Sequence, residues 1–484
     1  MAAPPTPRPR LLWALIAGYA ALYAVLCWRR YQSFHAQIDL SYYLRLAWGL
    51  GHGHLDLPLV QAPHLLGLHL EPVMLPLALL GRLGVPLVPL LLFGQAVAVA
   101  LLAWPAFRLG RRHLGERAAP WAAAAALLYP TVTVATLHDF HPVTLALAPL
   151  AGFVDALDEG RLRRALLLGA LALACREDIA LQLALGLLAY ALPGGPVGQT
   201  GARPGLGGSG ARLAMVGLAA LLVAYFLTYI VFIQPLYLPR FGSYGLHFAG
   251  LGGDKGEPGR AVGSGRDMLL ALLSHPLAAL RLFASWERLG YVLRLLWPVG
   301  LVALLAPRAL AGALPILAIN FLSSFPRVRT IESHYTTAMV PFIVAAALIG
   351  AGRLRAFLAH QRARWQGLAG ARADLGRGLA IGLCGLAAAA HIFHGGSPLA
   401  VCSTRFSWTH FRDPPDAAAL RAAIAWVPPA ASVAARPGPL AHLCQRPRIQ
   451  SPPEYDDGQP VDVVLTPDAA PTRNRIGGVP IKND

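Results

Sequence analysis

The sequence predicts an α-helical membrane protein that crosses the bilayer many times and ends in a small soluble α/β domain. Of its 484 residues, 56% are hydrophobic and only 13% are charged, whereas about a quarter of the residues in a soluble domain are charged. Long apolar runs recur from residue 11 to about residue 394, as expected of repeated membrane crossings. The residues after them contain no such run. We therefore predict a polytopic membrane domain over 1–394 and a small soluble domain over 395–484.

About eleven membrane segments follow from the lengths of the apolar runs and from the residues that interrupt them. Several are shorter than the ~20 residues of a full crossing, so we expect some short or broken helices. Two long connections, 29–85 and 234–290, are predicted as outer loops. The predicted segments are 11–28, 86–107, 118–136, 142–157, 165–176, 179–192, 212–233, 291–306, 309–324, 336–351 and 378–394.

The apolar stretch 165–192 decides the orientation of everything that follows it. As one helix it would be about 42 Å long and would carry Arg176, Glu177 and Asp178 at mid-membrane, which is costly. Non-helical backbone is tolerated at that depth where it lines a cavity. We therefore predict two short helices that meet at a polar break.

The net charge of +17 comes almost entirely from arginine. With a break in 165–192, 18 arginines fall on the side that holds the N-terminus and 7 on the other side, leaving out the long loop between 234 and 294. This asymmetry is what the positive-inside bias requires; Arg29 and Arg30 are the adjacent pair that departs from it. We expect a multi-pass protein of the cell (inner) membrane, with a cytoplasmic N-terminus and an extracytoplasmic C-terminal domain. Because this bias explains the arginines, nucleic acid is not an expected partner.

Polar groups from five separate stretches fall on the predicted outer side, and the most distinctive stretch runs from His138 to Pro142 between two apolar runs. Hydrocarbon cannot solvate these groups, so they must lie at a helix end or in a water-filled cavity. Such groups suit metal binding, proton transfer or phosphate recognition, and polar turns between helices are the alternative. The groups expected to share one outer-leaflet cavity are Asp39, His69, Glu71, His138, Asp139, His141, Arg176, Glu177, Asp178, Glu332, His334 and Tyr335.

Two further regions carry candidate features. Trp48 lies in an amphipathic stretch suited to the membrane interface, and His52 and His54 follow in a glycine-rich turn as either ligands or ordinary loop residues. In the tail, 415–426 is helix-like, whereas 432–434 and 461–465 are strand-like. Cys402 and Cys444 could pair if the tail faces an oxidising compartment.

The motifs together resemble a known family. They are Asp39-Leu40 with Ala47-Trp48, His69 with Pro72, Asp139-Phe140-His141-Pro142, Arg176-Glu177-Asp178 and His334-Tyr335. In these residues the chain resembles the bacterial and archaeal membrane proteins known as domain of unknown function 2079. That family is in turn similar to the GT-C glycosyltransferases, which use polyprenyl-phosphate-linked sugars. The chain departs from the family pattern at Ile38, where an aromatic residue is usual, and at Leu68, where Asp is common.

The resemblance implies a GT-C-like fold and a glycosyltransferase that takes a polyprenyl-phosphate-linked sugar donor from membrane lipid. It implies a divalent metal ion, Mg²⁺ or Mn²⁺, as the cofactor. Asp39 would be the general base or would organise the acceptor, and Glu71 is the candidate replacement for the carboxylate missing at Leu68. The implied site residues are catalytic Asp39, Glu71 and Asp139; substrate-binding Arg176, Glu177, Asp178, His334, Tyr335 and Trp48; and metal-binding His69, His138 and His141.

Two other functions also fit the sequence. A transporter or flippase of a lipid-linked or polar substrate would explain broken helices and charges at membrane depth. A non-catalytic membrane scaffold that displays the tail would explain the soluble domain. In a scaffold, the carboxylates would point into separate loops without a shared pocket.

Overall fold

The structure is a computed structural model, and it describes residues 9–55, 64–192, 208–237, 269, 272–274, 276–364, 374–451 and 460–465. Most of these residues are helical, and the three short strands lie near the C-terminus. Part of the predicted outer loop 234–290, residues 238–268, lies outside the described residues. The α-helices are Pro9–Gln32, Ile38–Gly51, Leu65–Leu68, Met74–Arg82, Leu87–Ala100, Ala103–Leu114, Ala119–Leu128, Pro130–Leu137, Pro142–Leu145, Leu147–Asp158, Leu162–Leu173, Ile179–Ala191, Ser209–Thr228, Gln234–Tyr237, Pro276–Phe283, Trp286–Leu296, Pro307–Leu310, Leu314–Leu322, Val340–Arg364, Leu375–His394, Ala417–Trp426 and Pro437–Leu440.

The predicted class, a polytopic α-helical membrane protein, is confirmed. Among the described residues, five helices are long and apolar enough to cross a membrane, and a sixth is counted if one bent pair forms a single span. The eleven predicted segments all fall on helical regions, but several of these are short helices joined at breaks. By length and composition, the number of full crossings is therefore smaller than the number of predicted segments.

The predicted break in 165–192 is present. One helix ends at Leu173 and the next begins at Ile179, so Arg176, Glu177 and Asp178 lie in the turn between them. The helix pair on either side of Tyr129 is bent by 53°, because Pro130 opens the second helix and a proline cannot continue the hydrogen-bond ladder of the first. Both interruptions lie in apolar sequence and bring irregular backbone into the bundle.

A dense set of ion pairs, here called the arginine cluster, holds one end of the bundle. Asp155 is fully buried and contacts Arg108 at 2.7 Å, Arg164 at 3.3 Å and also Arg112. Arg112 also contacts Asp158 at 3.1 Å and Glu159 at 2.7 Å. Every acid of the cluster therefore has at least one guanidinium partner. The cluster consists of Arg108, Arg112, Arg164, Asp155, Asp158 and Glu159.

The described tail is an α/β unit, as predicted. Strands β1 (Val433–Ala435), β2 (Ile449–Gln450) and β3 (Val463–Leu465) form a parallel sheet in the order β2-β1-β3. The sequence predicted β1 and β3 but not the two-residue strand β2. The domain boundary at residue 395 stays a prediction.

The tail packs directly on the Ile38–Gly51 helix. Buried side chains of Val433 and Ile449 share a hydrophobic core with Leu40 and Tyr43 of that helix. Arg45 donates a hydrogen bond to the backbone carbonyl of Pro447 at 3.0 Å. A segment that the sequence assigned to an outer loop is thus a helix with a partner in the tail.

The possible disulfide between Cys402 and Cys444 is not formed. Both thiols are free; Cys444 is buried in the tail core, whereas Cys402 is exposed. The two side chains therefore occupy different environments, and the tail is held by packing instead.

Candidate functional site

A cavity, here called the polar pocket, opens where the Ile38–Gly51 helix meets the break at 174–178. It holds about 1070 Å³ of empty space, including its open mouth. Its apolar wall includes Ile316 and Ile319. The predicted site residues that line it are Asp39, His69, Glu71, His141, Arg176, Asp178, His334 and Tyr335.

Asp39 enters the pocket from the first turn of its helix and meets an imidazole. Its Oδ2 lies 3.4 Å from Nε2 of His141, and about a third of its side chain remains exposed. Nδ1 of His141 lies 2.9 Å from the backbone carbonyl of Asp139; a carbonyl can only accept, so Nδ1 carries the proton. Nε2 is therefore the nitrogen that faces Asp39.

The charges of this pair are matched. Burial opposes the charged form of Asp39, but the hydrogen bond from His141 and the surrounding imidazoles outweigh it and lower the pKa of Asp39. Burial likewise opposes the charged form of His141, but the hydrogen bond and the charge of Asp39 raise the pKa of His141. Asp39 is thus a carboxylate at neutral pH.

Asp139 has a different position from Asp39. It is buried, and its Oδ2 accepts a hydrogen bond from the backbone N–H of Leu40 at 3.0 Å. Its Oδ1 lies 3.7 Å from Nη1 of Arg30, which also donates to the carbonyl of Leu137 at 2.8 Å. Gln37, at the N-cap, makes no side-chain cap of its own, so Asp139 satisfies one of the unpaired N–H groups at this helix start.

Three of the predicted groups fit a metal ion. One ligand atom from each of Asp39, His138 and His141 lies within 4.8 Å of the others. Nδ1 of His138 is buried without a hydrogen-bond partner among the described residues, and burial lowers the pKa of His138 to about 4, which keeps the imidazole neutral as a ligand must be. At His141, a bound ion would take the place of the proton on Nε2, because metal binding releases the proton of a ligating nitrogen. His69 is not part of this group. Two imidazoles and one carboxylate suit Mn²⁺ or Zn²⁺ better than Mg²⁺, which prefers oxygen ligands.

Glu71 is a second carboxyl group in the pocket. It accepts a hydrogen bond from the hydroxyl of Tyr43 at 3.1 Å and is almost fully buried. Burial is the main cause that raises the pKa of Glu71 to about 7. The ring of Tyr43 also packs edge-on against His141, with centroids 5.8 Å apart. Tyr43 therefore contacts both Glu71 and the imidazole that pairs with Asp39.

Glu177 fixes the loop that carries His69. It is fully buried; its Oε1 lies 2.9 Å from Nδ1 of His69, and its Oε2 accepts from the backbone N–H of Leu70 at 3.0 Å. Burial opposes both charged forms, but the mutual attraction and hydrogen bond raise the pKa of His69 and lower the pKa of Glu177. The N–H of Val73 also donates to the carbonyl of Ala174 at 2.8 Å, which ties this loop to the break.

Arg176 and Asp178, from the same break, form a two-pronged ion pair. Nε of Arg176 donates to Oδ1 of Asp178 at 2.8 Å, and Nη2 lies 2.7 Å from Oδ2. Both side chains are largely buried and line the pocket. This two-pronged contact holds the plane of the guanidinium in a fixed orientation at the pocket wall.

His334 and Tyr335 complete the wall opposite the Ile38–Gly51 helix. The ring of His334 stacks on His141, with centroids 4.2 Å apart at 21°. It also contacts the ring of Tyr335, with centroids 4.1 Å apart and the planes tilted by 36°. Asn320 and Ser323 also line the pocket. Glu332, predicted to join the others, instead contacts His394 at 2.7 Å and Arg405 at 2.5 Å.

Not every predicted site residue lies at the pocket wall. Asp139, Glu177 and His138 lie behind it, in contact with the residues described above. Trp48 lies at a different cavity with His52 and Arg82, and it stacks on His52 with centroids 4.3 Å apart. Tyr42 and Tyr43 were not predicted as site residues, although Tyr43 is four positions after Asp39 and therefore on the same helix face.

Comparisons with known proteins agree with the predicted family. The sequence profile of the family described as "Predicted membrane protein (DUF2079)" matches residues 30–474. A search of curated proteins found no match.

Solved structures with a similar chain path have low sequence identity to this chain. They include ArnT from Cupriavidus metallidurans bound to undecaprenyl phosphate, at 12% identity and a TM-score of 0.47, over 90% of this chain and 86% of that chain. The Archaeoglobus fulgidus oligosaccharyltransferase in the apo form is 13% identical with a TM-score of 0.40, over 91% of this chain and 64% of that chain. The same oligosaccharyltransferase in complex with Zn and sulfate is 12% identical with a TM-score of 0.38, over 90% of this chain and 62% of that chain. The chain thus spans less than two thirds of the oligosaccharyltransferase chains.

Proposed function

We propose that this chain, which belongs to the DUF2079 family of predicted membrane proteins, is a glycosyltransferase that uses a polyprenyl-phosphate-linked sugar at the outer face of the cell membrane. The observation that carries the proposal is the shared pocket: Asp39 and Glu71 face the same cavity as Arg176 and His69. Such transfer needs a base for the acceptor hydroxyl and positive charge at the departing phosphate. Both requirements meet in this one cavity.

Asp39 and Glu71 have different roles at the acceptor hydroxyl. Asp39 has a lowered pKa because His141 and other imidazoles surround it, so it remains charged and orients the hydroxyl by accepting its hydrogen bond. Glu71, with a pKa raised by burial to about 7, is matched to a proton transfer near neutral pH. Glu71 takes the proton as the acceptor oxygen bonds to the anomeric carbon.

The leaving group receives the electron pair of the bond that breaks. As the bond between the anomeric carbon and the phosphate oxygen cleaves, its electrons pass to that oxygen and polyprenyl phosphate departs. Arg176, whose side chain lines the pocket beside Asp178, stabilises this charge with its guanidinium group. The apolar wall formed by Ile316 and Ile319 offers the lipid chain a hydrocarbon surface.

A divalent metal ion belongs to the proposal as the cofactor. Asp39, His138 and His141 would hold it, as the buried and unpartnered Nδ1 of His138 indicates. When bound, the ion would supply positive charge beside the reacting groups. Asp139 acts as a positioning residue, because its contacts with Leu40 and Arg30 fix the start of the helix that carries Asp39.

The shared pocket favours transfer over the scaffold function, in which these carboxylates would lie in separate loops. The test incubates the purified full chain, in detergent or lipid vesicles, with a panel of polyprenyl-phosphate sugars and membrane extract as the acceptor source. The measured quantity is polyprenyl phosphate released together with sugar bound to acceptor. Asp39→Asn is compared with Asp413→Asn, a control at an exposed carboxylate of the tail that pairs with Arg421.

We expect wild type and Asp413→Asn to release polyprenyl phosphate and glycosylate an acceptor, and Asp39→Asn to lose at least about a hundredfold in rate. Equal rates for Asp39→Asn and wild type would overturn the proposal. Movement of an intact lipid-linked sugar between the leaflets of a vesicle, without cleavage of the sugar–phosphate bond, would replace it with the transporter function.

A further inference from the structure

Residues 397–403, here called the returning segment, follow the Leu375–His394 helix and fold back along its end. The backbone N–H of Cys402 donates a hydrogen bond to the carbonyl of Ile392 at 3.0 Å, and Ile392 lies two positions before the helix ends. That helix is long and apolar enough to cross a membrane. The returning segment therefore lies beside the last turn of a membrane helix, although the sequence assigned it to the soluble domain.

The returning segment turns apolar side chains away from the protein. Leu399 is 66% exposed and Val401 is 79% exposed. The hydrogen bond of Cys402 brings its neighbour Val401 to the level of Phe393, which is 50% exposed at the end of the helix and packs on the ring of Trp297 with centroids 6.2 Å apart. Exposed apolar side chains that occur singly are common, but a group of them at the end of a membrane helix continues the surface that faces lipid.

The backbone of the returning segment is hydrogen-bonded within the protein. The N–H of Leu399 donates to Oγ of Ser397 at 3.2 Å, and the N–H of Ala400 donates to the carbonyl of Ser397 at 2.9 Å. The N–H of Ser403 donates to the carbonyl of Ala400 at 3.0 Å. Backbone that lies against lipid needs such internal partners, because hydrocarbon offers none.

The turn that precedes the returning segment is fixed in the helix bundle. The hydroxyl of Tyr23 donates to the carbonyl of Gly396 at 3.0 Å, and the N–H of Gly396 donates to Oγ1 of Thr133 at 3.1 Å. A Cβ atom at Gly396 would come within 2.9 Å of the backbone of Val134, so only glycine allows this close approach. The position of the segment relative to the membrane helices is therefore set by the bundle.

The residues around the returning segment have the composition of a membrane interface. No acidic residue occurs between Asp374 and Asp413 in the sequence. Beyond the segment, Arg405 contacts Glu332 at 2.5 Å, and Trp408 is 56% exposed. Tryptophan is enriched where acyl chains meet headgroups, and a stretch without carboxylates avoids repulsion from anionic lipids.

We propose that the returning segment is a lipid-contacting anchor, in which Leu399 and Val401 enter the interfacial layer of the bilayer beside the last long helix. The partner is the phospholipid of that leaflet, whose acyl chains receive the two apolar side chains. The water-exposed part of the tail then starts after this anchor, at the membrane surface. The inference is independent of the proposed sugar transfer.

The test measures the depth of the segment in a bilayer. Cys402 is exposed, whereas the other four cysteines are buried, so a thiol-reactive spin label on the unaltered full chain reports on Cys402. The labelled chain is placed in vesicles of phosphatidylethanolamine and phosphatidylglycerol, and its collisions with oxygen, which concentrates in lipid, and with a water-soluble nickel chelate are measured by electron paramagnetic resonance. Cys402→Ser checks the site of labelling. In that background, Leu399→Cys tests the segment and Asp416→Cys is the control at an exposed position of the tail.

We expect the ratio of oxygen to chelate collisions at Cys402 and at Leu399→Cys to exceed that at Asp416→Cys about tenfold or more, because the polar chelate is excluded from the lipid. Equal ratios at the three positions would place the segment in water and overturn the inference. Few collisions with either reagent at Cys402 and Leu399→Cys would also overturn it, because the segment would then be covered by protein, such as a second copy of the chain, instead of lipid.

Discussion

The polar pocket and the arginine cluster are built from the same kinds of residue, yet their arrangement differs. The helices Pro142–Leu145 and Leu147–Asp158 connect them: His141 precedes the first helix at the pocket, and Asp155 lies in the last turn of the second. Asp155 follows His141 by 14 positions, which correspond to about 21 Å at the rise of an α-helix. In the cluster, acids and guanidinium groups contact one another directly. In the pocket, the charged pairs surround a cavity.

This difference separates a structural network from a binding site. Asp155 contacts three arginines and is fully buried, so its charge is balanced by guanidinium groups of the protein itself. Asp39 contacts one imidazole at the longer distance of 3.4 Å and keeps about a third of its side chain exposed. A buried ion pair that is fully matched contributes rigidity, whereas a charge that still faces an open cavity can act on a ligand.

The largest expected effect is on the rate of sugar transfer, and it differs between the two regions. Asp39→Asn removes the charge that orients the acceptor, and we expect the rate of sugar transfer to fall by about 10²–10⁴-fold with an unchanged melting temperature. Asp155→Asn makes the same chemical change at the other end of the bundle, and its activity per folded molecule should stay within about twofold of wild type. A comparable loss of activity in Asp155→Asn would contradict the distinction between the two regions.

The next effect is on stability. Arg108, Arg112 and Arg164 share two carboxylates, Asp155 and Glu159, and Asp155 is the fully buried one. Asp155→Asn removes it, and we expect a loss of about 3 kcal/mol in the free energy of unfolding. Thermal unfolding of the detergent-solubilised chain would measure it. Glu116→Gln is the control, because that carboxylate is exposed and only 3.9 Å from Arg111. Equal melting temperatures for the two variants would show that the cluster contributes nothing.

A smaller effect concerns metal binding at the pocket. After treatment with a chelator, Mn²⁺ or Zn²⁺ should raise the melting temperature of wild type, because binding stabilises the folded state. His138→Ala removes one ligand and should weaken the apparent affinity about tenfold to a hundredfold. His360→Ala, at an exposed histidine, should behave as wild type. A shift that His138→Ala retains in full would exclude this set of ligands.

The smallest expected effect is a pH dependence of stability due to Glu71. The folded protein raises the pKa of Glu71 from 4.5 to about 7 by burial, so it holds a proton that the unfolded chain releases. The contribution of this carboxyl group is fully present below pH 4.5 and is lost as the pH rises through about 7. Glu71→Gln should flatten the decline of the melting temperature across this window. If the melting temperature of Glu71→Gln declined as steeply as that of wild type, other titratable groups would be the cause of the decline.

Much of this arrangement could be predicted from the sequence, because charges in apolar runs are strongly constrained. The break at 174–178 followed from the cost of three charged residues at membrane depth. Glu71 and His334 were predicted to share a cavity with Asp39, and all three line the pocket. Arg30, an exception to the charge bias, is explained by its contacts with Leu137 and Asp139.

Other features depend on contacts that leave no local pattern. Asp139 binds the backbone N–H of Leu40, 99 residues away in sequence, and a backbone donor has no residue identity that a motif could reveal. Trp48 could have been excluded from the pocket, because nine residues after Asp39 correspond to two and a half turns of a helix, on the opposite face.

The docking of the tail on the Ile38–Gly51 helix also bears on biogenesis. Arg45 and Pro447 are 402 positions apart, so the helix that carries Asp39 is synthesised long before the strands that cover it. A ribosome must finish the chain, and the tail must reach the same side of the membrane as this helix, before their joint core can close. Products of premature termination would therefore insert into the bilayer with that helix uncovered, which makes them targets for proteolytic quality control.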